Sequence, residues 1–208
     1  HAFLDDLAAS AIATWGFEDR YGLLEHHKRW AFFSAGAVES ERALGFPDGH
    51  FDAVVSVFGV FFVPDRVGLV RELWRLVKPG GRLAVTTWGP EVLEPGSSAF
   101  WDAVGRERPD LARGFDPWDD LVRPEQLTEL FAAAGIDGAT AELEEGEQAL
   151  RGPDDWWAIV LGSGFRGTVE ELEPAQRERV CRAVLDAMRG VTAVRASAIY
   201  GAAVKPPG

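Results

Sequence analysis

The chain has 208 residues, 47% of them apolar and 26% charged, enough for a sizeable buried core in one or two domains. Acidic residues number 33 and basic residues 21, and a net charge of −12 argues against nucleic-acid binding, where affinity comes from Lys and Arg on phosphates. No apolar run approaches the ~20 residues of a membrane span, and the single Cys181 excludes intramolecular disulfides and cysteine-based zinc sites. The expectation is a cytoplasmic protein with a small-molecule partner, no membrane and no nucleic acid, and with a homodimer left open.

Residues 3–15 place Phe3, Leu4, Leu7, Ala8, Ala11, Ile12 and Trp15 at helical spacing. Residues 22–35 read as a second helix, with Leu23, Leu24, His27, Trp30 and Ala31 on one face. Phe46-Pro47-Asp48-Gly49 has turn chemistry. Residues 51–58 are nearly continuously apolar and rich in β-branched side chains, as expected of a strand buried on both faces of a parallel sheet. Asp65 is placed to cap a helix over 66–77, with Val67, Val70, Leu73, Trp74 and Val77 as its stripe. Lys78-Pro79-Gly80-Gly81 stops that helix, and residues 82–88 form the next buried strand. Strand, helix and strand make a βαβ unit.

Residues 89–120 change character. Five interrupting Pro and Gly residues alternate with Phe100, Trp101, Phe115 and Trp118 among acids, which suggests an inserted cap. A helix is expected at 124–134 with Pro at its first turn, a strand at 139–144, helices from 153 and over 174–189, and a last strand at 197–204. The eight Trp and thirteen Phe against two Tyr are either core filler or the walls of a pocket for a flat apolar ligand.

The stretch 44–90 resembles the class I S-adenosylmethionine-dependent methyltransferases, in particular their small-molecule branch of quinone and natural-product enzymes. The turn 44–49 before Phe51-Asp52, the strand end Ser56-Val57-Phe58, and Leu76-Val77-Lys78-Pro79-Gly80-Gly81 carry the likeness. The later PEQLTELFAAAGI and AIYGAAVKP also fit, so the resemblance covers most of 40–208. It implies a single α/β domain over 1–208, with a doubly wound, mostly parallel Rossmann-like sheet and 197–204 antiparallel at one side. It also implies S-adenosyl-L-methionine as cofactor and methyl transfer to a small acceptor.

One family feature is missing. The first strand of that family ends in an acidic residue and a Gly-x-Gly-x-Gly loop, where only glycine lets the backbone approach the cofactor. Gly16, Gly22, Gly36 and Gly45 are isolated, and no convincing strand stands upstream of residue 51 to pair with it. Either a segment is absent near 20–22, with a smaller omission near 35–38, or the chain is a catalytically inactive, methyltransferase-like binding or scaffold protein.

The resemblance places the cofactor over Ser56, Val57 and Phe58, with the adenine near Ser40 and Glu41. Strand ends at the carboxyl edge of open α/β sheets are where ligands bind. Phe62, Trp88, Trp156 and Trp157 are the expected lining of an apolar acceptor pocket, beneath a cap built from 89–120 and 153–167. Adjacent helical positions diverge by ~100°, so at most one of Trp156 and Trp157 faces the pocket. Asp116, Asp119 and Asp120 read as a solvated acidic face rather than a metal site. His26, His27 and His50 give no general base, and none is assigned.

Overall fold

The computed structural model of the chain describes residues 30–33, 46–112 and 118–208. In chain order these form β1 (Trp30–Phe33), β2 (Phe51–Val57), α1 (Arg66–Leu76), β3 (Val77–Trp88), α2 (Gly96–Glu107), α3 (Pro124–Ala133), β4 (Thr140–Glu144) and β5 (Glu147–Ala149). There follow α4 (Pro153–Gly162), α5 (Phe165–Glu170), α6 (Pro174–Ala187), β6 (Ala193–Arg195) and β7 (Ala198–Val204). The chain divides into two compact units, one of residues 1–87, 120–142 and 199–208, the other of 88–119 and 143–198.

The first unit is built on a five-stranded sheet of order β1-β2-β3-β7-β4. Both neighbours of β2 run parallel to it, with Val55 opposite Phe32 on one side and Ala84 on the other. This is the α/β doubly wound arrangement expected from 51–88. β2 is buried along nearly its whole length because both its faces are covered and both its edges are paired. Pairing at the ends of β3 descends along β7, from Gly80 donating to Lys205 O to Gly89 donating to Ser197 O, so β7 runs antiparallel to β3.

β1 corrects positions 30–33 of the helix expected over 22–35, the rest of which lies outside the described residues. Trp-Ala-Phe-Phe at 30–33 is a strand, in register with Ala53 to Ser56 of β2. A four-residue apolar run inside text of helical spacing carries no period of its own. What settles it is long-range: the free edge of β2 has unpaired backbone groups, and burying them unpaired costs more than a local helical turn gains. The helix expected over 3–15, the joint near 20–22 and the omission near 35–38 lie outside the described residues.

α1 starts where Asp65 Oδ1 accepts from Gly68 N at 2.8 Å. It buries Leu69, Val70, Leu73 and Leu76. It ends one residue earlier than expected, because Val77 already pairs with Phe51 and the Lys78–Gly81 run is drawn into β3 by hydrogen bonds from Gly80 to Lys205 and from Lys205 back to Gly81. Lys205 Nζ donates to the carbonyls of Trp74 and Val77 at 2.9 and 2.7 Å, and so satisfies acceptors the helix end leaves open. α3 lays Leu127 and Phe131 against β7 at Gly201, the one position of that strand with no side chain to obstruct them.

The second unit is mostly helical. α2, α4, α5 and α6 enclose a core of Phe100, Trp156, Phe165, Val180, Val184 and Met188. β5 and β6 pair antiparallel from Glu147–Arg195 to Ala149–Ala193. Arg179 grips Glu107 with two hydrogen bonds of 2.8 and 2.7 Å, tying α6 to α2. Of the expected cap elements, 89–120 and 153–167, all but residue 120 fall in this unit. No helix among the described residues is long and apolar enough to cross a membrane.

Candidate functional site

β2 and β3 end together. Val57 stands opposite Thr86, and the Phe58 N–H donates to Thr86 O at 3.0 Å, extending the pairing one residue past β2. Ser56 is buried. Phe58 itself has φ +48°, in the left-handed region that bulky side chains avoid. Such backbone conformations persist where the surroundings hold them, and they gather at ligand sites. The turn that follows, Val60–Phe62, buries Val60 and Phe61 and leaves Phe62 51% exposed, its ring 4.7 Å from that of Phe61.

Beyond the end of β3 the chain is anchored twice. Thr87 is fully buried, and its hydroxyl donates to the Leu121 carbonyl at 2.8 Å. Arg66, the first residue of α1, meets Asp120 at 3.4 Å. The 120–121 turn is therefore held at the carboxyl edge of the sheet by groups from β3 and from the helix that follows β2. Sequence reading saw Asp120 only as part of an acidic run and did not single out Thr87. A pairing across 34 residues leaves no local signal.

Of the expected cofactor residues, Ser56, Val57 and Phe58 thus stand together at the carboxyl end of β2, whereas Ser40 and Glu41 lie outside the described residues. Of the expected acceptor residues, Phe62 is exposed in the first unit, and Trp88, half-buried, is the last residue of β3. In the second unit Trp156 is fully buried, 5.9 Å from Phe165, and Trp157 is partly buried against the same core. Trp156 is the inward member of the pair. Asp116 lies outside the described residues, and among those described no three His, Cys, Asp or Glu side chains are grouped as metal ligands. His50 stacks beside Phe46, 5.7 Å away, in the turn that leads into β2, at the opposite end of that strand from Ser56.

Strand ends 56–58 and 86–88 carry no charged side chain, their three hydroxyl residues Ser56, Thr86 and Thr87 are buried, and aromatic rings flank them. Such an edge can hold a flat, weakly polar or cationic ligand and orient it by hydrogen bonds. It lacks the basic residues that phosphate recognition needs.

Residues 7–85 match the family described as a methyltransferase domain. The 2-methyl-6-phytyl-1,4-hydroquinone methyltransferase of Synechocystis is 39% identical over 102 residues, 48% of this chain and 30% of that protein. The ubiquinone/menaquinone biosynthesis C-methyltransferase UbiE of Escherichia coli is 41% identical over 58 residues, 28% of this chain and 23% of that protein. The match thus spans under a third of the length of these curated relatives. Among solved structures, the YcgJ protein of Bacillus subtilis superposes with a TM-score of 0.44 at 16% identity, over 81% of this chain and 70% of that one.

Proposed function

We propose that this chain, whose residues 7–85 match a methyltransferase domain, is a class I S-adenosylmethionine-dependent methyltransferase that transfers a methyl group to a small, flat, apolar or aromatic molecule. The observation that carries the reading is the parallel β2–α1–β3 unit with its uncharged, aromatic-flanked carboxyl edge. S-Adenosylmethionine is the cofactor, and these residues fit it. Its sulfonium is a cation, and no Lys or Arg stands on 56–58 or 86–88; the nearby Arg66 is paired with Asp120.

When bound, the cofactor supplies a methyl group already activated on sulfur. The chain's own contribution is to bind, orient and exclude water. Ser56, Val57 and Phe58 hold the cofactor side, and Ser40 and Glu41 are assigned to the adenine. Phe62, just past β2, and Trp88, the last residue of β3, are assigned to the acceptor, whereas Trp156 and Trp157 pack with the core of the second unit. Alignment in a closed pocket supplies most of the rate in such a transfer, so no general base is assigned. The lone Cys181 suits a reducing, cytoplasmic setting.

A second reading, a methyltransferase-like binding protein without activity, is favoured by one observation: no acidic residue followed by Gly-x-Gly-x-Gly precedes residue 40. Calorimetry with S-adenosylhomocysteine and a Trp88→Ala variant tests both. The enzyme reading expects saturable binding of S-adenosylhomocysteine, unchanged in Trp88→Ala, with acceptor methylation lost in the variant. Absence of binding at millimolar ligand establishes the second reading. Equal loss of cofactor and acceptor binding in Trp88→Ala refutes the assignment of Trp88.

A further inference from the structure

Arg66 stands where helix physics disfavours it. It is the first residue of α1, and the positive end of a helix repels a cation. Its neighbour Asp65 turns one carboxylate oxygen to the Gly68 N–H, 2.8 Å away. The Arg66 side chain is nevertheless only 22% exposed, and its guanidinium reaches Asp120, 54 residues further on, at 3.4 Å. Such a pair adds little to stability when one partner is as open as Asp120, whose side chain is 65% exposed. Its place at the carboxyl edge of the sheet asks for another reason.

That place is fixed by short links. Leu121, next to Asp120, accepts from the Thr87 hydroxyl at 2.8 Å. Thr87 follows Thr86, whose carbonyl accepts from the Phe58 N–H at 3.0 Å. From Asp120 to the end of β2 is therefore a few residue spacings of ~3.8 Å, roughly 10 Å in all. Charges at that range still act on one another, because the Debye length is ~8–10 Å in ordinary buffer. No charged side chain stands on 56–58 or 86–88, so the field at these strand ends is set from outside them. Arg66 and Asp120 contribute to it with opposite signs.

We infer that Asp120, by offsetting Arg66, sets how strongly this edge prefers the cationic S-adenosylmethionine to its neutral product S-adenosylhomocysteine. The two ligands differ by one methyl group and by the positive charge on sulfur. A charge near the sulfur acts on the first and hardly on the second, whereas a residue that only shapes the edge acts on both alike. The Arg66 charge by itself repels the sulfonium and favours the spent product; with Asp120 beside it the pair adds no net charge. Asp120 is thus a specificity-determining residue. The inference rests on the reading that the cofactor lies over Ser56, Val57 and Phe58.

The test is calorimetry of both ligands on the full chain, as wild type, Asp120→Asn, Arg66→Gln and the double variant, at low and at high ionic strength. At low ionic strength Asp120→Asn should weaken S-adenosylmethionine about two- to fourfold and leave S-adenosylhomocysteine at its wild-type affinity. Arg66→Gln should shift the preference the opposite way. The double variant, equal in net charge to the wild type, should restore it. All these differences should shrink together at high ionic strength. A constant ratio of the two affinities across the variants, or single variants that loosen both ligands alike, overturns the inference. Wild-type chain that binds neither ligand sinks the cofactor reading, and this inference with it. Binding of both with an unchanged ratio in Asp120→Asn sinks this inference alone.

Discussion

Gly201→Ala offers a test of how β7 is seated on α3, because the sign of its effect is set by the packing. In an open strand the change stabilises by about 0.5–1 kcal/mol, since alanine loses less backbone entropy on folding. Here an added methyl would stand 2.6 Å from Leu127 Cδ2 and 2.8 Å from Phe131 Cε2. Comfortable carbon contacts are ~3.5–4.0 Å. Leu127 and Phe131 are both fully buried, so neither can swing out to make room. Overpacking of this kind costs about 1–3 kcal/mol, which exceeds the entropic gain. The net expectation is a loss of about 1–2 kcal/mol. For a chain of this size that lowers the midpoint of thermal unfolding by about 2–8 °C, read by far-ultraviolet circular dichroism. Leu127→Ala removes the nearer obstacle. Alone it should cost about 2–5 kcal/mol, but in combination the two losses should sum to less, by about 0.5–3 kcal/mol. A midpoint that rises in Gly201→Ala, or strict additivity in the double variant, would show that β7 does not sit against α3 as described.

Thr87→Val keeps the branched side chain and removes the hydroxyl from Leu121, so stability should fall by about 1–2 kcal/mol, with Thr87→Ser near wild type in urea unfolding. Equal stability of the three proteins would refute the anchor. Asp155 is held at about 2, below its ordinary 3.8, first by the Arg151 side-chain hydrogen bonds and then by the Arg151 backbone N–H. A carboxylate depressed on folding lends stability above its unfolded value and loses it as pH falls from about 4 to about 2. The carboxyl carbon of Asp155 should therefore titrate near 2 by nuclear magnetic resonance and move up in Arg151→Gln. An unmoved midpoint would show that the pair is not formed in solution.

The legible part of this chain was the part whose signals are local and repeated. Val54, Val55 and Val57 mark a strand buried on both faces, and Asp65, Val70, Leu73 and Pro79 mark the start, stripe and stop of a helix, so β2–α1–β3 could be read off without knowing any neighbour. β1 could not. Its four residues fit a helical stripe as well as a strand, and what decides between them is the unpaired edge of β2, twenty residues away. Phe58 is a harder case, because nothing in a phenylalanine announces a left-handed backbone. It comes with a backbone hydrogen bond to Thr86, on a strand that arrives almost thirty residues later. The two tryptophans of α4 lie between these extremes. Helical geometry alone says that one of Trp156 and Trp157 must turn inward, and Val160, one turn beyond Trp156 and fully buried, already hints at which. What the spacing could not supply is that the inward indole leaves its N–H unpaired. Hydrogen bonding is a property of the whole neighbourhood and not of the helix that carries the donor. The features that bear on chemistry here, Phe58, Thr87 and Arg66, are those whose local rules are overruled or left unfinished, as expected where a fold is shaped to bind something other than itself.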